Sequence, residues 1–276
     1  MTPAFLLKNF TADDGYLYVF DRRAPERGVF RAEPKSVFAE KHLYSRIGKD
    51  GTRDPQLEIE FAELESRAAP LIRERIIDQI RSGKNVKLDS VERHILYLFW
   101  YVQWKRPPDF HEHLFDEGEF NRIVEESLNH FESLARPLTE NERENFSDPE
   151  TRSKMLKNAR LDALRMITPG VIDVLKQVGV NFVQIERMNR SFIIGSNPVV
   201  KLTTNRHKTP GQPEVEVWFP VAHDIAMLWF GTNKDIRTKP ITEDRHIRFL
   251  NEMVARQSRR IAGRSKRLVQ SLIDPR

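Results

Sequence analysis

The chain has 276 residues, 45 Lys and Arg against 40 Asp and Glu, a formal net charge of +5 and no cysteine. At this length a fold buries about three quarters of the surface its unfolded chain exposes, so it needs no covalent staples. The missing cysteines exclude disulfides, thiolate metal sites and cysteine nucleophiles. The longest unbroken apolar run, Ile95 to Val102, falls far short of the roughly 20 residues of a membrane-spanning helix.

The first ten residues, MTPAFLLKNF, lack a charged start followed by a long apolar run, so no export signal is read and a cytoplasmic protein is expected. Residues 1–55 read as a strand-rich segment. Asp13-Asp14-Gly15 is a turn signal, and Tyr16 to Phe20 is an aromatic, β-branched run. Pro25 to Gly28 then turns the chain back toward Val29-Phe30-Arg31, which predicts a hairpin.

Residues 56–178 read as a helical body. Leu57, Phe61, Leu64, Ala68 and Leu71 form one apolar stripe, and Pro70 is expected to kink the helix or divide it. Residues 90–105 make a second helix, capped by Asp89 with Glu92 three residues on. Its apolar residues lie all round, which marks a helix buried on most sides. Breaks near Arg136-Pro137, Ser147-Asp148-Pro149 and Thr168-Pro169-Gly170 divide residues 117–178 into three or four more helices.

Residues 180–232 read as strands. Asn181 to Glu186 alternates with period two and, after a short turn, predicts a hairpin with Ser191 to Ile194. Val215 to Phe219 and Ile225 to Phe230 add two more. A long helix is expected over 241–270, capped by Thr242, with Glu243 and Asp244 at the positive end of its dipole. The expected fold is α+β, a mainly helical single domain with a small antiparallel sheet and a long basic C-terminal helix.

That last helix carries the clearest chemical signal. Ile247, Leu250, Val254, Ile261 and Leu268 fall on one stripe, and Arg256, Arg260, Arg264 and Arg267 on a second, with Arg259 beside it. From Arg245 to Arg267 there are eight basic residues and one acid, Glu252. Arginines spaced along a helix can follow a phosphate backbone, with binding that weakens steeply in salt. The alternative is a solvated face that pairs with acidic helices such as Glu140 to Glu150.

Other constellations are weaker. His111-Glu112-His113, with Asp109 and Asp116, has metal-capable side chains but not the four-residue histidine spacing of a helical zinc site. Glu214-Val215-Glu216 resembles the acidic end of a nuclease strand, but Trp218 stands where a lysine would help. No glycine-rich phosphate loop, glycine-flanked serine or kinase set occurs, so no cofactor or metal is expected. Ser196-Asn197-Pro198 follows an apolar strand, either lining a pocket or simply bending the chain.

The chain resembles a bacterial family known as domain of unknown function 4238. The resemblance rests, in order, on Pro3 to Phe10, Tyr16 to Asp21, Leu57-Glu58, Leu64 through Pro70, Gln103, Arg106 and Pro107, Ser191 to Val200, Phe219-Pro220-Val221 with Ala226, and Asn251. It implies a bacterial, cytoplasmic, helix-rich protein and brings no activity with it. The family pattern has a histidine three residues before the proline matching Pro3, ahead of Met1, and an aspartate where Ser196 stands. What remains is Gln103, Arg106, Ser196, Asn197 and Pro198, a set suited to an anion or polar ligand and poor at acid-base work. Arg106 can instead cap the last carbonyls of its own helix.

The expected function is that of a binding protein, with nucleic acid as partner, in a stress or phage-defence response. The rivals are a nuclease or other phosphate-ester hydrolase built near Arg106 and Asn197, and a structural subunit docking on an acidic protein.

Overall fold

The computed structural model describes residues 2–38, 42–48, 50–107, 116–166, 169–203, 212, 214–229 and 236–273. The chain divides into two compact units, one formed by Met1–Glu40, Ala62–Pro107 and Thr168–Arg276, the other by Lys41–Phe61 and Pro108–Ile167. The fold is α+β, rich in helix with small sheets.

In the first unit, helix α1 (Ala4–Leu7) leads to strand β1 (Leu17–Asp21) through a turn in which Gly15 takes a φ of +82°, a conformation open to glycine. The predicted hairpin forms: β1 pairs antiparallel with β2 (Phe30–Ala32), Val19 opposite Phe30.

The second unit opens on a two-stranded ribbon, β3 (Arg46–Ile47) with β4 (Arg53–Asp54). Helix α2 (Gln56–Pro70) follows, and from Ala62 it belongs to the first unit. Pro70 does not divide the helical run. Leu71–Ile77 continues it with π geometry, in which the Asp78 N–H donates to the Arg73 carbonyl, and α3 (Asp78–Arg81) completes it. The wider turn brings Leu71 and Ile72 over Ile76 and Ile77, all four buried.

Helix α4 (Ser90–Lys105) begins with the predicted capping box, Asp89 accepting from the Glu92 N–H while Glu92 accepts from the Asp89 N–H. Its buried aromatic face supplies core contacts: Phe99 lies 6.0 Å from Phe219, and Trp100 lies 4.8 Å from Trp229, between ring centroids.

In the second unit, α5 (Glu117–Leu134), α6 (Glu140–Ser147) and α7 (Pro149–Arg165) are separated at the expected breaks. Each start is capped by a side chain, from Asp116, Thr139 and Asp148 respectively. The ribbon is fastened to α7 by Asn158, which accepts from the Ile47 N–H at 3.0 Å and donates to its carbonyl at 2.9 Å.

Returning to the first unit, α8 (Pro169–Gln177) precedes β5 (Val180–Ile185), β6 (Ile194–Gly195), β7 (Val200–Leu202), β8 (Glu216–Pro220), β9 (Ile225–Trp229) and β10 (Thr238–Ile241). Five of these strands make a mixed sheet in the order β10-β5-β9-β8-β7, with β10 parallel to β5 at its edge. The expected hairpin between residues 181–186 and 191–194 is absent: β5 pairs with β9, while β6 joins the other sheet. The strand pairs around β8 and β9 do form, with Phe219 opposite Met227.

The long C-terminal helix is corrected most. Helix α9 (Asp244–Arg256) ends, strand β11 (Arg260–Gly263) follows, and α10 (Lys266–Ile273) closes the described chain. Strand β11 lies inside the four-stranded sheet β2-β1-β11-β6, with Phe20 opposite Ile261 on one side and Gly195 opposite Ile261 on the other. Two ladders of backbone hydrogen bonds and the burial of Ile261 and Ala262 outweigh the helical period. The first helix is preceded by Glu243 at its cap position, with no side-chain cap from it; Thr242 lies outside.

Candidate polyanion-binding groove

The Ser196-Asn197-Pro198 turn joins β6 to β7 and is bound tightly to the segment after α9. The Ser196 hydroxyl accepts from the N–H groups of Arg259 and Arg260, at 3.1 and 3.2 Å. The Asn197 N–H donates to the Ser258 hydroxyl, which in turn donates to the Asn197 carbonyl, both at 3.2 Å. Thr2 donates to the Gly195 carbonyl at 3.0 Å. A Cβ on Gly195 would lie 2.0 Å from the Ser258 oxygen, so close approach requires the glycine. Pro198 is buried. These bonds make the turn a clasp, with Ser196 holding backbone amides. Asn197 Oδ1 is buried without a partner among the described residues.

The other half of the sequence-predicted pocket has different partners. The Arg106 N–H donates to the Val102 carbonyl at the end of α4, while its side chain is ion-paired with Glu65 on α2, both groups largely buried. Gln103 is 1% exposed, and its Nε2 has no partner among the described residues.

The arginine stripe does not survive the break in the helix. Arg260, on β11, pairs with Asp21 at 2.5 Å. Burial raises the Asp21 pKa, but the Arg23 N–H and the Arg260 guanidinium outweigh it and hold the carboxyl below its ordinary value. Arg264 pairs with Asp13 at 2.8 Å. Arg259 has its N–H on Ser196 and its carbonyl accepting from the Arg22 N–H. Arg256 and Arg267 alone of the five are exposed and in no ion pair among the described residues.

Those two residues share a groove between α9 and α10. One cavity of about 500 Å³ is walled by Arg190, Asp244, Arg248, Asn251, Arg267 and Ser271. A second, of about 960 Å³, is walled by Arg22, Arg248, Glu252, Arg256, Arg267 and Gln270. The two share Arg248, Arg267 and Ser271, so they adjoin. Arg248 is fixed by Glu252 at 2.6 Å and by the hydroxyl and carbonyl of Ser271, each at 2.7 Å. Arg22 donates to the carbonyls of Ala255 and Ser258, which satisfies the end of α9. Arg187 and Arg190 both reach Asp244; the Arg190 bond, opposed by desolvation, holds that carboxyl below its ordinary value. Five guanidinium groups thus line the groove against two carboxylates.

Asn251 anchors the groove's helix. It is 1% exposed, accepts from the Ile193 N–H and donates to the Ser191 carbonyl, both at 2.9 Å. The sequence places Asn251 in the family pattern without a role; here it substitutes for a strand partner. Arg22 and Arg190 had no local signal, since their partners lie far along the chain.

A cluster that sequence reasoning missed sits in the β8–β9 connection. Arg81 grips Asp224 with two bonds, at 2.9 and 2.6 Å. Asp224 is held below its ordinary pKa despite burial, chiefly by Arg81. His223 is pushed down, first by burial, and lies 3.3 Å from Arg264.

The histidines of His111-Glu112-His113, and Asp109, lie outside the described residues; Asp116 is a helix cap. Among the described residues no group of three metal-capable side chains occurs. Glu216 accepts from the Trp218 indole at 2.8 Å, and Glu214 takes a φ of +68° in the preceding turn. No helix of the described residues is long and apolar enough to cross a membrane.

The model of the family described as protein of unknown function (DUF4238) matches residues 2–267, nearly the whole chain. The chain belongs to that family. No curated protein and no solved structure matches it.

Proposed function

From membership of a family with no assigned activity, we propose that this chain is a binding protein for nucleic acid, held through its phosphates in the groove between α9 and α10. The observation that carries the reading is the pair Arg256 and Arg267, exposed on the groove walls and in no ion pair among the described residues. Arg248 and Arg22 are already neutralised or fixed, so they shape the wall and add field. Free guanidinium groups in a concave wall attract phosphate and grip it with two donors. Arg260 and Arg264 fall outside the interface in this reading, because Asp21 and Asp13 already hold them.

Fluorescence anisotropy with a short oligonucleotide, at salt concentrations from about 50 to 200 mM, tests it. Binding should weaken with salt, and Arg256→Glu with Arg267→Glu should flatten the logarithmic slope by about two phosphate contacts. Binding that survives the double substitution unchanged overturns the reading. Retention of an acidic protein after nuclease treatment, with no oligonucleotide binding, overturns it in favour of a protein partner.

A further inference from the structure

The sheet edge opposite β7 carries a separate cavity of about 600 Å³, between residues 85–93 and the edge strand β10. We propose that it binds a small phosphorylated ligand with an apolar body, of the class of nucleoside di- and triphosphates. This site is independent of the groove between α9 and α10.

Charge is the first argument. Among the described residues four cations line the cavity, Lys87, Arg93, Arg237 and Lys239, and no carboxylate does. Lys87, Arg237 and Lys239 are in no ion pair among the described residues. Two acids on the α4 side of the cavity are committed elsewhere: Asp89 caps α4, and Glu92 pairs with Arg75 at 2.9 Å. Arg93 is positioned by its donation to the Leu88 carbonyl at 3.1 Å. Like charges gathered in one concavity repel each other, and a multiply charged anion relieves that repulsion.

The backbone supplies a further donor. The Arg237 carbonyl accepts from the Phe182 N–H at 2.8 Å, so it faces β5. The N–H of Thr238 belongs to the same trans peptide and therefore points the opposite way, toward the outer edge. The Thr238 hydroxyl is buried without a partner among the described residues. A phosphate oxygen in the cavity suits both groups. The apolar side of the wall comes from Val86, Leu88 and Ile236, of which Val86 and Leu88 are buried. Cations on one side and aliphatic surface on the other match a ligand with a charged tail and a flat apolar head, and the volume falls in the range of small-molecule sites.

Isothermal titration calorimetry of the full chain with tripolyphosphate, ATP and adenosine tests the assignment. ATP should bind most tightly, tripolyphosphate more weakly, and adenosine not at all up to about 1 mM. Arg237→Gln with Lys239→Gln should weaken ATP at least about tenfold. Lys87→Gln, in the segment before α4, should weaken it in the same direction, which guards against a folding defect in the strand variant. Adenosine binding as tightly as ATP, no heat from either polyphosphate, or unchanged affinity in both variants overturns the proposal.

Discussion

The strand segment Arg260–Gly263 and the two helices that flank it carry arginines at similar spacing, yet their charges meet different fates. On the strand and just after it, Arg260 and Arg264 are drawn against Asp21 and Asp13 from the amino-terminal part of the chain. On the helices, Arg256 and Arg267 stay exposed beside a groove. A central strand lies between two neighbours and brings its side chains to distant residues; a surface helix leaves one face to solvent. Local charge density therefore does not predict free charge. The backbone partner decides it.

The clasp that creates the difference offers the largest effects. Asn251→Leu should destabilise the protein by about 3 kcal/mol, because the buried Ile193 N–H and Ser191 C=O lose the bonds that Asn251 makes to them. Chemical denaturation with an unchanged slope would read this directly; a loss below about 1 kcal/mol would mean that water or backbone takes over the bonds. Gly195→Ala should cost about 2 kcal/mol, since the new methyl meets Ser258 at 2.0 Å. Ser258→Ala in the same chain should recover part of that loss, and a strictly additive pair would show that the crowding lies elsewhere.

The Asp21–Arg260 pair comes next. Asp21→Asn should cost about 1–2 kcal/mol in stability by leaving a largely buried guanidinium without its carboxylate. Arg256→Gln and Arg267→Gln should each change stability by less than about 0.5 kcal/mol. Equal losses from the two kinds of variant would erase the distinction between paired and free arginines.

The His223 cluster gives a pH test of the paired region. Its folded pKa lies below its ordinary value of 6.5 because burial, with Arg264 and Arg81 nearby, disfavours the charged ring, while Asp224 and Asp13 partly oppose this. The unfolded chain then binds the proton first, so stability is full above about pH 6.5 and falls as pH drops below it. His223→Gln should remove that part of the acid dependence. Asp224, held below 3.8, has the same sign in a lower window: its contribution is present above that value and is lost on further acidification. A flat stability curve between neutral pH and 5 would contradict the burial of a neutral His223.

Much of this was legible from the chain. Asp89 with Glu92 and Asp148 before Pro149 announce helix starts through contacts three residues long, and Asp14-Gly15 announces the turn before β1. The break after Arg256 was not legible, because Ile261 and Leu268 fit the apolar stripe of a longer helix. What excludes that helix is the fit of Ile261 between Phe20 and Gly195, which no local window contains. For the same reason β6 leaves β5 for another sheet. In the candidate site, Arg256 and Arg267 were visible as charges, whereas their neighbours Arg22 and Arg190 were not: Arg22 reaches the Ala255 carbonyl across 233 positions of sequence. The neutralisation of Arg260 and Arg264 was hidden in the same way.

One comparison of salt slopes addresses the groove most directly. Oligonucleotide affinity is measured across salt for the native chain, for Arg256→Gln with Arg267→Gln, and for Arg260→Gln with Arg264→Gln, at a temperature where all three are folded. The first double variant should lose about two units of slope and the second none. Equal slopes in the two variants, or a larger loss in the second, would contradict the assignment of the free pair as the phosphate-gripping residues.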